Sequence, residues 1–138
     1  MVKIRDYKGS DYENLRVNLE ENNMFAEGWD NKENLEQKIK RNPGSIIVAD
    51  VGNNAIGNIY LVEDGWAFIF RLAVRKSYQG QGIGTLLLEE AEMRLKHKGI
   101  KEVSIFIREE DIGKLESYYQ KRGYTKMDRL HQGMYKKL

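Results

Sequence analysis

An α/β fold of the α+β kind, one mixed sheet flanked by helices, is the class this 138-residue sequence predicts. Three observations predict it. The hydrophobic period alternates between that of a strand and that of a helix in the order β-α-α-β-β-β-α-β-α-β. Two hairpin signals, Gly52-Asn53-Asn54 and Asp64-Gly65, separate β-rich runs. A glycine-rich bend, Gly80-Gln81-Gly82-Ile83-Gly84, joins an apolar strand to an amphipathic helix. With no linker and no internal repeat, one domain over residues 1–138 is expected, with six to seven strands and four helices.

Each element has its own signal. Residues 2–6 alternate apolar and polar, a short first strand. Ser10 followed by Glu13 reads as a capping box, which starts a helix from Asp11 to about Glu21, stopped by Asn22-Asn23. Met24, Phe25 and Trp29 fall in a loop. Asp30 with Glu33 repeats the capping pattern and opens a second helix through Leu35 and Ile39 to about Arg41, ended by Asn42-Pro43-Gly44. Ile46–Val51 and Ala55–Val62 are strands, and Trp66–Val74 is the next, apolar on both faces as a central strand should be. Leu87, Leu88, Ala91 and Leu95 recur at helical spacing up to about Lys98, with Gly99 as C-cap. Glu102–Ile107 reads as a fifth strand. Asp111 caps a helix to about Lys121, stopped by Gly123, and Tyr124 onward supplies one or two final strands.

Composition narrows the function. The hydrophobic content of 41% and the single proline belong to a globular chain. Twenty-three basic against 21 acidic residues leave a net charge of +2, too little to argue for nucleic-acid binding, although residues 121–138 are locally basic. The absence of cysteine excludes disulfides, thiolate metal sites and a cysteine-bound acyl-enzyme. His97 and His131 stand far apart and make no metal pair. No apolar run is long enough to span a bilayer, and Met1-Val2-Lys3-Ile4-Arg5 does not read as a signal peptide, so a cytoplasmic location is expected.

The glycine bend carries the chemistry. Glycines at alternate positions 80, 82 and 84 let successive N–H groups converge at the positive end of a helix, a seat for phosphate or pyrophosphate. The dinucleotide fingerprint is ruled out because position 85 is Thr, and the Walker loop because no lysine follows Gly84. What remains reads Q/R-x-x-G-x-G/A, here Gln79, Gly82 and Gly84, preceded by Leu72-Ala73-Val74 and Tyr78. This stretch resembles the signature of the GNAT superfamily of acyl-CoA N-acyltransferases, and the element order of the whole chain is similar to that fold.

The resemblance implies a set of roles. The turn Gln79, Gly80, Gln81, Gly82, Ile83 and Gly84 would hold the pyrophosphate of acetyl-CoA. The backbone of Leu72, Ala73 and Val74 would pair with the pantetheine arm as an added strand. A bulge in that strand would aim the N–H of Leu72 or its neighbour at the thioester carbonyl. The run Leu115-Glu116-Ser117-Tyr118-Tyr119-Gln120-Lys121-Arg122-Gly123-Tyr124 looks like the family's Φ-Tyr-Glu-Lys-x-Gly-Φ ending, which puts Tyr119 at the general-acid position. A phenol can hand a proton to a departing thiolate. Two departures stand out. Ile112 occupies the position where many relatives carry asparagine, and no carboxylate lies on the strands where a base is often found. Glu63, Asp64, Glu109 and Glu110 are the nearest candidates, and the base stays open.

The expected activity is acetyl transfer from acetyl-CoA to a primary amine, on a small molecule or a protein N-terminus or lysine, by direct transfer in a ternary complex. A CoA-binding sensor without catalysis is the alternative. Phe25, Glu27, Trp29 and Trp66 are expected to line the acceptor pocket, whose aromatic and acidic character would suit a cationic amine. No metal, nucleic acid or membrane partner is expected, and a homodimer is possible for such folds.

Overall fold

The computed structural model describes residues 1–138, which divide into two compact units, Met1–Ile105 and Phe106–Leu138. The first unit holds β1 (Lys3–Asp6), α1 (Tyr12–Glu21), α2 (Glu27–Asp30), α3 (Lys32–Arg41), β2 (Ile46–Val51), β3 (Asn54–Glu63), β4 (Ala67–Val74) and α4 (Ile83–His97). The second holds α5 (Ile112–Gln120).

The four strands form an antiparallel sheet in the order β1-β2-β3-β4. Pairing of Ile46 with Tyr60 and Ile47 with Ile59 sets the register and fixes which side chains share a face. One face, with Ile46, Val48, Tyr60 and Ala73, packs on Leu15 and Leu19 of α1 and Leu35 of α3. The other carries α4, packed close at Gly57, where an added Cβ would lie 3.2 Å from Leu87. The hairpin expected at residues 52–54 forms with Gly52 and Asn53 both at positive φ (58° and 69°). No helix is long and apolar enough to cross a membrane.

Several expectations need correction. The sheet has four strands, all antiparallel, instead of a mixed six to seven. The predicted fifth strand, Glu102–Ile107, contributes a single parallel bridge, Ser104 to Phe68, through Ile69 N to Ser104 O and Ser104 N to Ala67 O, each 3.0 Å. Its ladder does not extend beyond that bridge. The final strands after Tyr124 are absent, since a strand needs a hydrogen-bonded neighbour and the predicted one does not form.

There are five α-helices, not four, because the segment read as a loop closes the short α2. Asp30 is not a cap. It accepts from Ala26 N (2.9 Å), while Asn31 caps α3 by accepting from Asn34 N at 2.9 Å. Ser10 lies in a 3-10 turn, and α1 is entered through Asp11, whose carboxylate accepts from Lys8 N at 2.9 Å and pairs with Arg5.

Tyr7 is a core ring, 5% exposed, whose hydroxyl is buried without a hydrogen-bond partner. Removing an unmet buried hydroxyl recovers about 1 kcal/mol. Tyr7→Phe is therefore expected to raise stability by that amount and the melting temperature by about 3 °C. A thermal melt showing a lower midpoint would mean the hydroxyl is satisfied after all.

Candidate active site

The glycine turn is built by α1. Asn22 Nδ2 and Gln79 Nε2 both donate to Val74 O (3.1 and 2.9 Å), and Lys76 N donates to Glu21 Oε1 at 2.8 Å. The Gln79 side chain thus fastens the end of β4, and residues 80–82 beyond it are exposed. Gly80 and Gly82 stand at φ 79° and 81°, and a Cβ on either would meet nothing within 4 Å. The Leu86 amide donates to Gly82 O at 3.1 Å as α4 begins. The positive end of this 15-residue helix opens at the turn.

The bulge lies in β4. Asn58 pairs with Ala73 and Tyr60 with Phe70, so Arg71 and Leu72 together oppose the single residue Ile59. Arg71 sits at φ 55°, a left-handed conformation costing an ordinary residue about 1–2 kcal/mol. Two contacts hold it there. Asn58 Nδ2 donates to Arg71 O (2.9 Å), and the Arg71 guanidinium reaches Asp30 at 3.1 and 3.2 Å. Asp30 is fully buried and also accepts from Tyr60 OH (3.0 Å) and Ala26 N (2.9 Å).

A chain of hydrogen bonds, buried at its centre, runs from the bulge to Arg75 just past the end of β4. Asn58 Oδ1 accepts from Asn18 Nδ2 (3.1 Å), Asn18 Oδ1 accepts from Arg75 Nε (3.0 Å), and Arg75 N donates to Ile56 O (2.8 Å). Arg75 also reaches Asn14 O and Oδ1 at 3.1 and 3.0 Å. Asn18 and Asn58 are both 0% exposed, and neither had been singled out from the sequence. A signal existed. Asn18 interrupts the stripe Leu15, Leu19 on α1, and Asn58 interrupts the apolar run Ala55–Leu61.

Beside the bulge lies an open groove of about 670 Å³ lined by α2, α3 and the β3–β4 hairpin. Of the residues expected around the acceptor, Trp29 lines it. Phe25 instead lies under the Arg16 guanidinium (4.5 Å) and packs on the core. Glu27 opens α2, exposed, and Trp66 stands 61% exposed against Phe68, outside the groove lining. Of the four candidate bases, Asp64 is on the groove rim, Glu63 ends β3, and Glu109 and Glu110 lie in a 3-10 turn of the second unit.

In the second unit Tyr119 occupies the last turn of α5, half-buried, with its ring edge-on to Tyr118 (5.1 Å) and Tyr124 (5.5 Å). Burial, with a smaller contribution from Tyr118, pushes its phenol up to about 12. Gly123, at φ 91°, ends the segment as expected.

Comparison with known proteins settles the family. The model of the acetyltransferase (GNAT) family matches residues 11–124. The chain belongs to the GNAT acetyltransferase family. This GNAT chain is 26% identical over 129 residues to an acetyltransferase of Sodalis glossinidius, covering 92% of this chain and 89% of the relative. Among solved structures it is similar to the PaiA N-acetyltransferase of Thermoplasma acidophilum in complex with coenzyme A, with a TM-score of 0.77, 26% identity and coverage of 94% and 92% of the two chains. The Ard1 structure from Thermoplasma volcanium shares the fold at a TM-score of 0.79 and 18% identity, covering 90% of this chain and 82% of that one. The GNAT fold, recognised here with a four-stranded sheet, is therefore shared by chains of divergent sequence.

Proposed function

We propose that this GNAT chain is a single N-acetyltransferase domain that transfers the acetyl group of acetyl-CoA directly to a primary amine in a ternary complex. The observation that carries the reading is a bulged strand, β4, leading into an exposed turn with two left-handed glycines ahead of α4, its bulge and its end tied through Asn58, Asn18 and Arg75. The residues fit the cofactor. Two left-handed glycines with open Cβ positions leave room for a diphosphate against the amides of residues 80–84. The coenzyme A in the Thermoplasma acidophilum PaiA structure supports the same assignment.

Acetyl-CoA supplies an activated acyl group as a thioester. The chain's own residues would do the rest. Leu72, Ala73 and Val74 offer main-chain partners to the pantetheine amides, and the bulge amide polarises the acyl carbonyl. Tyr119 holds a proton for the departing sulfur. Its raised pKa keeps that proton in place at every physiological pH, so no alkaline loss of activity from Tyr119 is expected until the pH approaches about 12. Trp29 forms one wall for the acceptor.

Tyr119→Phe tests the acid role. Turnover is expected to fall about a hundredfold, the lower end for loss of a general acid, with acetyl-CoA affinity nearly unchanged. Free-thiol release and calorimetric binding measure the two separately. Unchanged turnover removes Tyr119 from the mechanism, and tight CoA binding without turnover of any amine would make the chain a CoA-binding sensor.

A further inference from the structure

Four charged residues line the groove beside β4: Asp30, Lys38, Arg41 and Asp64. Asp30 is already matched by Arg71, so the remaining lining is Lys38 and Arg41 against Asp64, one positive charge in excess. Lys38 and Arg41 are three residues apart on α3 and so share one side of it. Neither pairs with a carboxylate. Lys38 Nζ donates to Leu61 O, and Arg41 Nη2 to Gln37 Oε1 at 3.3 Å.

Lys38 is the informative one. Its ammonium lies 5.6 Å from the Phe70 ring and 5.9 Å from the Tyr60 ring, a mostly apolar setting. Burial alone pulls its pKa down to about 8, so the charge is held at a cost that no acidic neighbour offsets. A half-buried cation with no carboxylate partner, set between two aromatic rings, is what a site for an anionic group looks like when that group comes from a ligand. The glycine turn lies beyond the far end of β4, past Val74, while this groove borders Phe70, so the cofactor's diphosphate is assigned elsewhere. Glu27, expected to give the acceptor pocket an acidic character suited to a cationic amine, is not among the residues lining the groove.

Resting on the transfer reading above, we infer that the acceptor is a small amine bearing a carboxylate, of the amino-acid class, with its carboxylate on Lys38 and Arg41 and its apolar side chain against Trp29, Val62 and Phe70. A polyamine would meet like charge on the same wall. In the transfer, the acceptor nitrogen forms the new bond to the acetyl carbon, the carbon–sulfur bond breaks, the sulfur takes a proton from Tyr119, and the nitrogen loses its own proton to solvent.

Matched acceptors test this directly. L-phenylalanine is compared with phenethylamine, and L-leucine with isopentylamine, alongside spermidine, with acetyl-CoA and thiol detection. The amino acids are expected to show kcat/KM about tenfold or more above their decarboxylated partners, the effect of one charge-assisted hydrogen bond. Lys38→Met, and separately the exposed Arg41→Gln, should raise KM for the amino acids more than they change kcat and compress the ratio toward one.

Binding is read independently in a Trp66→Phe background, which leaves Trp29 as the sole tryptophan of the two present. With CoA, L-leucine should change its fluorescence saturably and isopentylamine should not. Spermidine or the decarboxylated amines performing as well as the amino acids overturns the inference, as does a ratio indifferent to both substitutions, while transfer itself stands. Calorimetry with CoA together with thiol release across the amine panel decides the transfer reading, and the leucine titration without CoA then still decides whether the groove takes a carboxylate.

Discussion

Gly82→Val is expected to abolish coenzyme A binding, with affinity falling more than about a hundredfold. Two effects act together. Residue 82 lies at φ 81°, a region that a β-branched side chain enters only with strain of about 1–3 kcal/mol. The strain is relieved by rotating the turn, which turns the amides of Gln81 and Ile83 away from a common point. A side chain that stays would stand in space that is now open. Because Gly82 is exposed and touches no core residue, the fold itself should survive, and circular dichroism checks this. Calorimetric titration with CoA measures the loss. Undiminished affinity would remove the diphosphate from this turn. Gly80→Val, at φ 79° on the same turn, should follow the same pattern.

Asp30→Ala should cost about 3–5 kcal/mol, the range for removing one partner of a buried ion pair. The carboxylate is fully buried and receives Arg71, Tyr60 OH and Ala26 N, so the substitution strands a guanidinium, a hydroxyl and an amide at once. Against a typical domain stability of about 5–15 kcal/mol that is a large fraction. Urea unfolding followed by fluorescence gives the difference, and a loss below about 1 kcal/mol would show that the cluster does not hold α2 to the sheet. The effect should reach activity too. Arg71 keeps its left-handed backbone only while Asp30 and Asn58 hold it, so the bulge is expected to relax when the carboxylate is gone.

What the sequence disclosed and what it hid differ in physical kind. The glycine turn, both hairpins and the two long helices are dictated locally, by left-handed φ at Gly52, Gly80, Gly82 and Gly99 and by apolar stripes such as Leu87, Leu88, Ala91 and Leu95. The late strands were misread because Glu102–Ile107 has strand composition but no ladder to join beyond Ser104. Strand formation is a property of pairs, and the pairing is non-local. Asp30 was misread for a similar reason. Followed three residues later by Glu33 it imitates a cap, and only the sheet brings Arg71 to it. Lys38 and Arg41 carry no sequence signal that sets them apart, and only folding brings them into the groove lining.

The linked asparagines give the donor cleft a fixed gauge. With Asn18 and Asn58 sealed in the interior and clamping Arg75 at one end and Arg71 at the other, the two anchorage points cannot drift apart independently. A rigid span of this kind measures whatever lies across it. If acetyl-CoA lies along β4 as proposed, a carrier of the wrong reach would leave its reactive atom out of register at the bulge, so the scaffold itself would select for carrier length.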